Sequence, residues 1–188
     1  MRRLTSLLIV FTLMLATMPA MAGKYNDARR VFMNAGESSW YFKNSYGYAL
    51  FPTVGKVGIG IGGAHGNGRV YVRGKTVATT SVTQVTVGLQ LGGQAYSQII
   101  FFKDRRAFKE FASGNFEFGA QASAVAITAS ANAAANTAGG IQGGASGTKD
   151  NAETLGGYYK GMAVFTVAKG GLMYEASIGG QKFSYTPL

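Results

Sequence analysis

The sequence predicts an α+β protein in which a curved, mainly antiparallel β-sheet, or a barrel-like sandwich, carries short N-terminal helices and one peripheral helix. Two observations predict this class. Apolar residues follow the helical spacing before Pro52 and again after Asp104, whereas most of the remaining chain alternates with the two-residue period of strands. In addition, 28 of the 188 residues are glycine, and glycine at alternate strand positions is typical of a bent sheet.

The chain begins with a segment typical of a secretory signal. Two arginines precede an apolar run that is too short to span a bilayer, and Ala20-Met21-Ala22 forms a small-residue cleavage site. We expect cleavage after Ala22, so that residues 1–22 are a signal peptide and residues 23–188 form a single domain. The mature protein is then expected to be periplasmic or secreted, or peripheral on a membrane.

Two short helices are predicted at the start of the mature chain. Asn26 and Asp27 are expected to cap the first helix, which ends at Gly36. Its inner face would carry Ala28, Val31, Phe32 and Ala35, and its outer face Arg29, Arg30 and Asn34. Ser38 and Ser39 are expected to cap the second helix, which carries Trp40, Tyr41, Phe42 and Lys43.

The segment VGKVGIGIGGAHGNGRVYVRGK, residues 54–75, predicts a hairpin whose turn is AHGNG. The alternating pattern returns in TVGLQLGGQAYSQIIFF, residues 86–102, and in YEASIGGQKFSY, residues 174–185. Glycine along one strand face indicates that another backbone, an aromatic ring or a ligand lies close to it. Two interpretations stay open: a face packed within the protein, and a narrow slot or surface that faces lipid.

The second half of the chain is less regular. Asp104 is expected to cap a helix near residues 104–112, with Ala107, Phe108 and Phe111 inward and Arg105, Arg106 and Lys109 outward. In residues 117–135 the alanines favour a helix and the β-branched residues favour a strand. We predict a strand to about Ser130, followed by a glycine-rich loop over residues 138–157.

Motifs for catalysis and metal binding are mostly absent from the sequence. Residues 58–63 formally satisfy G-x-G-x-x-G, but they lie within a strand and lead to no helix, which excludes a dinucleotide site. His65 is the single histidine and is expected in a solvated turn, and the chain has no cysteine. We therefore predict no catalytic residue, no metal and no cofactor. A pair of carboxylates brought together by folding would leave an exported hydrolase as an alternative.

The strongest chemical signal is positive charge. The formal net charge is +10, or about +8 after removal of the leader, and an exported basic protein meets anionic lipid, polysaccharide or acidic protein and no nucleic acid. Basic residues beside aromatic ones suit an anionic membrane surface, although a solvated basic face over an aromatic core would give the same pattern. The predicted lipid-binding residues are Arg29, Arg30, Trp40, Lys43, Arg105, Arg106 and Lys109.

Several segments together resemble the SYLF domain over residues 25–188. They are SYGYALFPTVGKVGIGIGGAHGNGRVYVRG, VGLQLGGQAYSQIIFF, FKEFASGNFEFGAQASAVAI and KGGLMYEASIGGQKFSY. The resemblance implies non-catalytic binding of phosphoinositide or other anionic phospholipid, with basic residues and an N-terminal amphipathic helix as the contact. The SH3 and FYVE modules of eukaryotic relatives are missing. Actin binding is not carried over, because an exported bacterial-type chain meets no actin of its own.

The alternative to a peripheral lipid-binding domain is a small outer-membrane β-barrel, which the alternation and the glycines would allow. Against it, two helices precede the first strand and the chain ends in Tyr-Thr-Pro-Leu without a terminal aromatic residue. The missing cysteine also argues against a lipid anchor attached to the protein.

Overall fold

The computed structural model describes residues 18–118, 124–127, 157–169 and 178–188. Helices α1 (Met18–Asn34), α2 (Gly36–Ser39) and α3 (Tyr41–Asn44) come first, followed by the long strands β1 (Gly47–Val72) and β2 (Lys75–Phe102). Then come helix α4 (Arg105–Ala112) and strands β3 (Val125–Ile127), β4 (Met162–Lys169), β5 (Gln181–Phe183) and β6 (Thr186–Pro187). The predicted α+β class, with a curved and mainly antiparallel sheet, is confirmed.

Strand β2 organises the sheet. One of its edges pairs antiparallel with β1 from Gly47↔Phe102 to Val72↔Lys75. The other edge pairs with β6 at residues 78–79, with β5 at residues 82–84 and with β4 at residues 95–102. Strand β3 joins β4 in parallel. In the part of the chain that the structure describes, these six strands form one open sheet.

The hairpin turn lies at Arg73 and Gly74, and the prediction of a turn at AHGNG is wrong. Arg73 has φ 51° and Gly74 has φ 77°, which is the paired positive φ of a type I′ turn. His65, Gly66 and Gly68 instead lie inside β1 and pair with residues 80–83 of β2.

The ribbon formed by β1 and β2 folds back on itself. Its register shifts between Ile59 and Ile61, and a Cβ atom on Gly58 would overlap the Cα atom of Gly62. We call this sharp bend the crease. Beyond it, Gly68 lies so close to the first half of β1 that an added Cβ would be 2.6 Å from a ring carbon of Phe51. The crease thus divides the sheet into two layers.

Two hydrophobic cores follow from this folding. The interlayer core lies between the two halves of the ribbon and includes Phe51, Val82 and Phe183. The outer core lies between the first layer and helices α1 to α3, and includes Leu50 and Phe101. Because both faces of the first layer are buried, its strands are apolar at consecutive positions, as in YALF and IIFF.

The helices partly match the sequence prediction. Helix α1 starts before the predicted cap at Asn26 and Asp27, and Val31 is 39% exposed although it was expected inside. Ser38 does not cap a helix, because it is buried and its hydroxyl donates to the carbonyl of Phe32 at 2.6 Å. Helix α4 is confirmed, with Asp104 as its N-cap.

Three other predicted segments lie wholly or partly outside the described residues. In residues 117–135, a strand is confirmed at Val125–Ile127, and Glu117 forms an isolated antiparallel bridge with Lys182. Most of the predicted loop at 138–157 and residues 1–17 of the predicted signal peptide are not among the described residues. Cleavage after Ala22 stays a prediction.

Candidate functional site

Four chain segments meet at the end of the sheet where β1 begins and β2 ends. The N–H of Tyr46 donates to the carbonyl of Phe102 at 2.8 Å, and the N–H of Lys103 donates to the carbonyl of Gly161 at 2.8 Å. The Arg73–Gly74 turn reaches the same end, because Gly47 packs against the last residues of β1. We call this surface, formed by residues 43–46, 73–75, 103–110 and 157–161, the basic end.

Exposed cations dominate the basic end. The carboxylates of its four segments are Asp104 and Glu110. Its lysines and arginines are all exposed, and they are Lys43, Arg73, Lys75, Lys103, Arg105, Arg106, Lys109 and Lys160. Like charges brought together from four segments give this surface a positive potential.

Both carboxylates of the basic end are engaged within α4. The N–H of Ala107 donates to Asp104 at 2.9 Å. This bond, together with the nearby charges of Arg106 and Lys103, holds the pKa of Asp104 below its usual value, although partial burial opposes the shift. Glu110 accepts a hydrogen bond from Arg106 at 3.1 Å. Most cations of the basic end therefore face solvent without a carboxylate in contact, within the part of the chain that the structure describes.

Trp40 stands beside these cations and is 57% exposed. Its ring meets the ring of Tyr41 edge-on at 5.1 Å, and Tyr41 meets Tyr158 at 5.2 Å. The ammonium group of Lys103 lies 6.0 Å from the centre of the Tyr158 ring. This series of contacts connects α3 with the start of α4. An exposed indole beside exposed cations is typical of residues that enter a membrane interface.

The structure brings part of the predicted lipid-binding set together. Trp40, Lys43, Arg105, Arg106 and Lys109 are all exposed at or beside the basic end. Arg29 and Arg30 are exposed on α1, which packs on the outer core, whereas α4 packs on the interlayer core. The two predicted groups therefore belong to helices on different faces of the first layer. The role of all seven residues in lipid binding stays a prediction.

The wider pattern of basic residues beside aromatic ones includes both exposed and buried residues. Phe101 and Phe102 are fully buried, and Tyr41 is buried, so these rings belong to the core. Lys160, by contrast, was not selected from the sequence, although it follows Tyr158 and Tyr159 in the same kind of pattern. The pattern therefore predicts the exposed indole of Trp40 correctly, but it does not distinguish exposed aromatic residues from buried ones.

The crease presents a different surface at the opposite end of the first layer. Val57, Ile61 and Val85 are 66%, 71% and 69% exposed. No Asp, Glu, Lys or Arg occurs in the sequence from residue 57 to 68 or from residue 76 to 102. The two ends of the layer thus differ in character, one being cationic and the other apolar and uncharged.

Other site chemistries have little support among the described residues. His65 lies in the middle of β1 and not in a turn. Its side chain is exposed, as expected, and its Nδ1 atom is 3.3 Å from Oγ1 of Thr83. Within the described ranges, no three His, Cys, Asp or Glu side chains gather as a metal-binding group. None of the described helices has both the length and the hydropathy that a membrane span requires.

An exposed cationic surface on a sheet buried on both faces is typical of a binding domain. Residues 83–186, more than half of the chain, match the family model Ysc84, described as "Las17-binding protein actin regulator". The chain therefore belongs to this family, whose domain is the SYLF domain, and the resemblance seen in the sequence is confirmed. SYLF domains are domains of a lipid-binding type.

A curated relative extends the comparison. Beta cell expansion factor A of Aeromonas veronii is 28% identical over 156 residues, which cover 82% of this chain and 51% of the relative. The chain thus spans about half the length of this relative. The match includes more of the chain than the family model does.

Proposed function

We propose that the mature protein binds anionic phospholipid at a periplasmic membrane surface, without catalysis, and that the basic end makes the contact. The observation that carries this proposal is the convergence of eight exposed cations on one end of the sheet, beside the exposed Trp40. Membership of a lipid-binding type of family supports it. The secretory leader predicted from the sequence supports the periplasmic location.

The charges of the basic end are sufficient for reversible binding. A lysine or arginine close to an anionic membrane contributes about 1 kcal/mol, and this attraction extends about 8 Å at physiological ionic strength. Apart from Arg106, which is bonded to Glu110, these cations need not leave a carboxylate among the described residues before they meet lipid phosphates. Trp40 would add a contribution that salt does not screen, because it comes from burial at the interface. Las17 and actin, which the family description names, are not part of the proposal.

The test is co-sedimentation of the purified mature protein with anionic vesicles over a series of salt concentrations. Changing Arg105, Arg106 and Lys109 together to glutamine should remove about 3 kcal/mol, which is more than a hundredfold in affinity. A matched control changes the exposed Lys24, Lys169 and Lys182 to glutamine, because these residues lie outside the basic end. The control should lose much less affinity.

Two further variants locate the contact. Trp40→Ala should weaken binding by a similar factor at every salt concentration. Val57→Ser with Ile61→Ser tests the crease and should leave binding unchanged. Circular dichroism confirms that every variant is folded. Equal binding by the two triple variants, equal binding to neutral vesicles, or a loss confined to the crease variant would contradict the proposal.

A further inference from the structure

A cluster of tyrosines and arginines lies beside the basic end, where α1 crosses β1. Tyr25 and Arg29 are four residues apart on α1 and therefore share a face of the helix. Tyr48 lies at the start of β1, and Arg69 and Tyr71 lie near its end. They meet because the crease folds the end of β1 back onto its beginning. We call these five residues the tyrosine–arginine cluster.

The contacts within the cluster are close. The rings of Tyr48 and Tyr71 stack with their centres 4.9 Å apart. The guanidinium carbon of Arg69 lies 4.3 Å from the centre of the Tyr25 ring. Stacking on a ring holds the guanidinium group in a fixed orientation while its N–H groups stay able to donate. The cluster is therefore a built arrangement and not a set of independent surface side chains.

The cluster is rich in hydrogen-bond donors and has no carboxylate, so its side-chain acceptors are the tyrosine hydroxyl oxygens. Tyr48 is only 7% exposed, and its buried hydroxyl has no hydrogen-bond partner among the residues that the structure describes. Neither Arg29 nor Arg69 has a carboxylate within 4.0 Å, as far as the described residues show. Buried hydroxyl groups in folded proteins almost always have a partner. The Tyr48 hydroxyl without a described partner, near Arg29, and the guanidinium group of Arg69 without a carboxylate, over Tyr25, together point to an anionic acceptor from outside the chain.

The electrostatics agree with this geometry. Burial raises the pKa of Tyr25 and of Tyr48, so both hydroxyls stay protonated and able to donate at neutral pH. The charge of Arg69 acts on the Tyr25 hydroxyl, and the charge of Arg29 acts on the Tyr48 hydroxyl. The Tyr71 hydroxyl acts on both. The polar groups of these pairs therefore lie near one another.

We infer that the tyrosine–arginine cluster binds a phosphate monoester. Two guanidinium groups and up to three hydroxyls supply more donors than one carboxylate accepts, whereas a phosphate has three terminal oxygens and two negative charges. Arg29 is exposed and Arg69 and Tyr71 are half-buried, so a ligand from solvent can reach these three side chains. The phosphate would come from a lipid headgroup or from free phosphate, and the headgroup source rests on the proposed function.

The first experiment measures the site without lipid. Inorganic phosphate should raise the melting temperature of the mature protein above its value in chloride at equal ionic strength. Tyr48→Phe removes only the hydroxyl, and Arg69→Gln removes the stacked guanidinium. Both variants should lose the phosphate effect, whereas Arg73→Gln, which removes an exposed cation from the nearby turn, should keep it.

The second experiment identifies the source of the phosphate. Vesicles that contain phosphatidic acid, a monoester, are compared with phosphatidylglycerol vesicles, a diester, at equal surface charge. Wild-type protein should bind the monoester vesicles at least tenfold more tightly. Tyr48→Phe and Arg69→Gln should abolish this preference. Arg73→Gln should weaken binding to both kinds of vesicle but retain the preference for the monoester vesicles.

The outcomes separate the two proposals. Phosphate stabilisation that depends on Tyr48 but occurs without any vesicle binding supports the site with free phosphate as ligand, and it overturns the proposed membrane function. Vesicle binding that is equal for both lipids, together with no effect of phosphate, overturns the site and leaves the membrane function standing. If Arg69→Gln does not fold, Arg69→Lys keeps the charge and should still lose the monoester preference.

Discussion

Three buried glutamines connect the two layers of the sheet. Gln84 is 1% exposed, and Gln98 and Gln181 are fully buried. Gln98 and Gln181 exchange hydrogen bonds at 2.8 and 3.1 Å. Gln181 also donates towards Gln84 at 3.3 Å and towards the hydroxyl of Tyr96 at 3.2 Å. Since Gln84 and Gln98 lie on opposite sides of the crease and Gln181 lies on β5, the network fixes β5 against both halves of β2.

We predict that Gln181→Leu lowers the free energy of unfolding by about 2–4 kcal/mol, because it leaves the amides of Gln84 and Gln98 with fewer partners in the core. The matched control is Gln94→Leu. Gln94 follows Gly-Gly in the same local pattern, Gly-Gly-Gln-x-aromatic, but its side chain is exposed. Gln94→Leu should change the stability by less than about 0.5 kcal/mol. Urea unfolding measures both, and equal effects would show that the network is not stabilising.

Tyr96 in the same network predicts an alkaline limit of stability. Burial raises its pKa from 10.0 to about 12, although the bond from Gln181 opposes this shift. The unfolded chain therefore releases this proton at a lower pH than the folded chain does. The contribution of Tyr96 to the free energy of unfolding is fully present below pH 10. As the pH rises towards 12, the free energy of unfolding falls by about 2–3 kcal/mol because this contribution is lost.

The measurement is the free energy of unfolding as a function of pH, for wild type and Tyr96→Phe. The variant should lose less stability between pH 10 and pH 12. Absorbance at 295 nm follows tyrosine ionisation in the same samples. Two profiles that fall in parallel over this range would contradict a buried, protonated Tyr96.

At the scale of elements, glycine allows β1 to pack on itself. Gly66 and Gly68 lie against the backbone of residues 50–54, so larger residues at these positions would clash with the first half of β1 and destabilise the fold. Gly55 differs, because an added Cβ would have no atom within 4 Å. The glycines of one strand therefore do not have one common role.

Gly68→Ala should cost about 1–3 kcal/mol, because its Cβ would lie 2.6 Å from a ring carbon of Phe51 and 2.8 Å from the carbonyl oxygen of Leu50. Gly55→Ala is the control and should be neutral or stabilising by up to about 1 kcal/mol, because alanine restricts the unfolded chain more than glycine does. Thermal and urea unfolding of the two variants measure the difference. Equal stability of the two would mean that the layers separate easily at Gly68.

Local sequence patterns predict some elements well. They fail where contacts between residues far apart in the sequence determine the structure. Helix α4 could be predicted because Asp104, Ala107 and Phe111 give a cap and an inner face within one short segment. The prediction of a turn at AHGNG rests on the frequency of glycine in turns. Gly66 and Gly68 are instead needed because residues across the crease leave no room for a side chain at these two positions. The turn at Arg73 and Gly74 has a weaker sequence signal than Asn-Gly.

The candidate sites show the same limit. The exposed cations of α4 follow directly from its helical period. The tyrosine–arginine cluster could not be predicted, because Tyr48 and Tyr71 come together only after β1 folds back. The sequence pointed to Arg29, but it gave no reason to pair this residue with Arg69. A site made by the bending of one strand has no spacing that a sequence pattern detects.

At the scale of the whole molecule, the nested pairing of β1 and β2 implies an order of folding. Val72↔Lys75 is the innermost pair, and each later pair encloses the one before it, out to Gly47↔Phe102. Pairing from the turn outward closes only short loops, whereas direct pairing of the distant ends closes a long one. The contacts across the crease pack one half of the paired ribbon onto the other, so we expect them to form after the innermost pairs.

Arg73→Asn should therefore accelerate folding by about 2- to 5-fold, because asparagine adopts the left-handed conformation of this turn more easily than arginine does. The unfolding rate should hardly change. Gly68→Ala should do the reverse and mainly accelerate unfolding, because its contacts are absent from the early ribbon. Stopped-flow folding and unfolding in urea separate the two effects. A folding rate that responds to Gly68→Ala and not to Arg73→Asn would contradict this order.

A ribbon that has paired but not yet folded at the crease exposes the second edge of β2, which later accepts β4, β5 and β6. This edge carries no charged side chain from residue 76 to 102, and uncharged open edges pair readily with other chains. The crease contacts then determine the unfolding rate of the folded protein. The time needed to cover the edge of β2 governs how many molecules reach the folded state without aggregating.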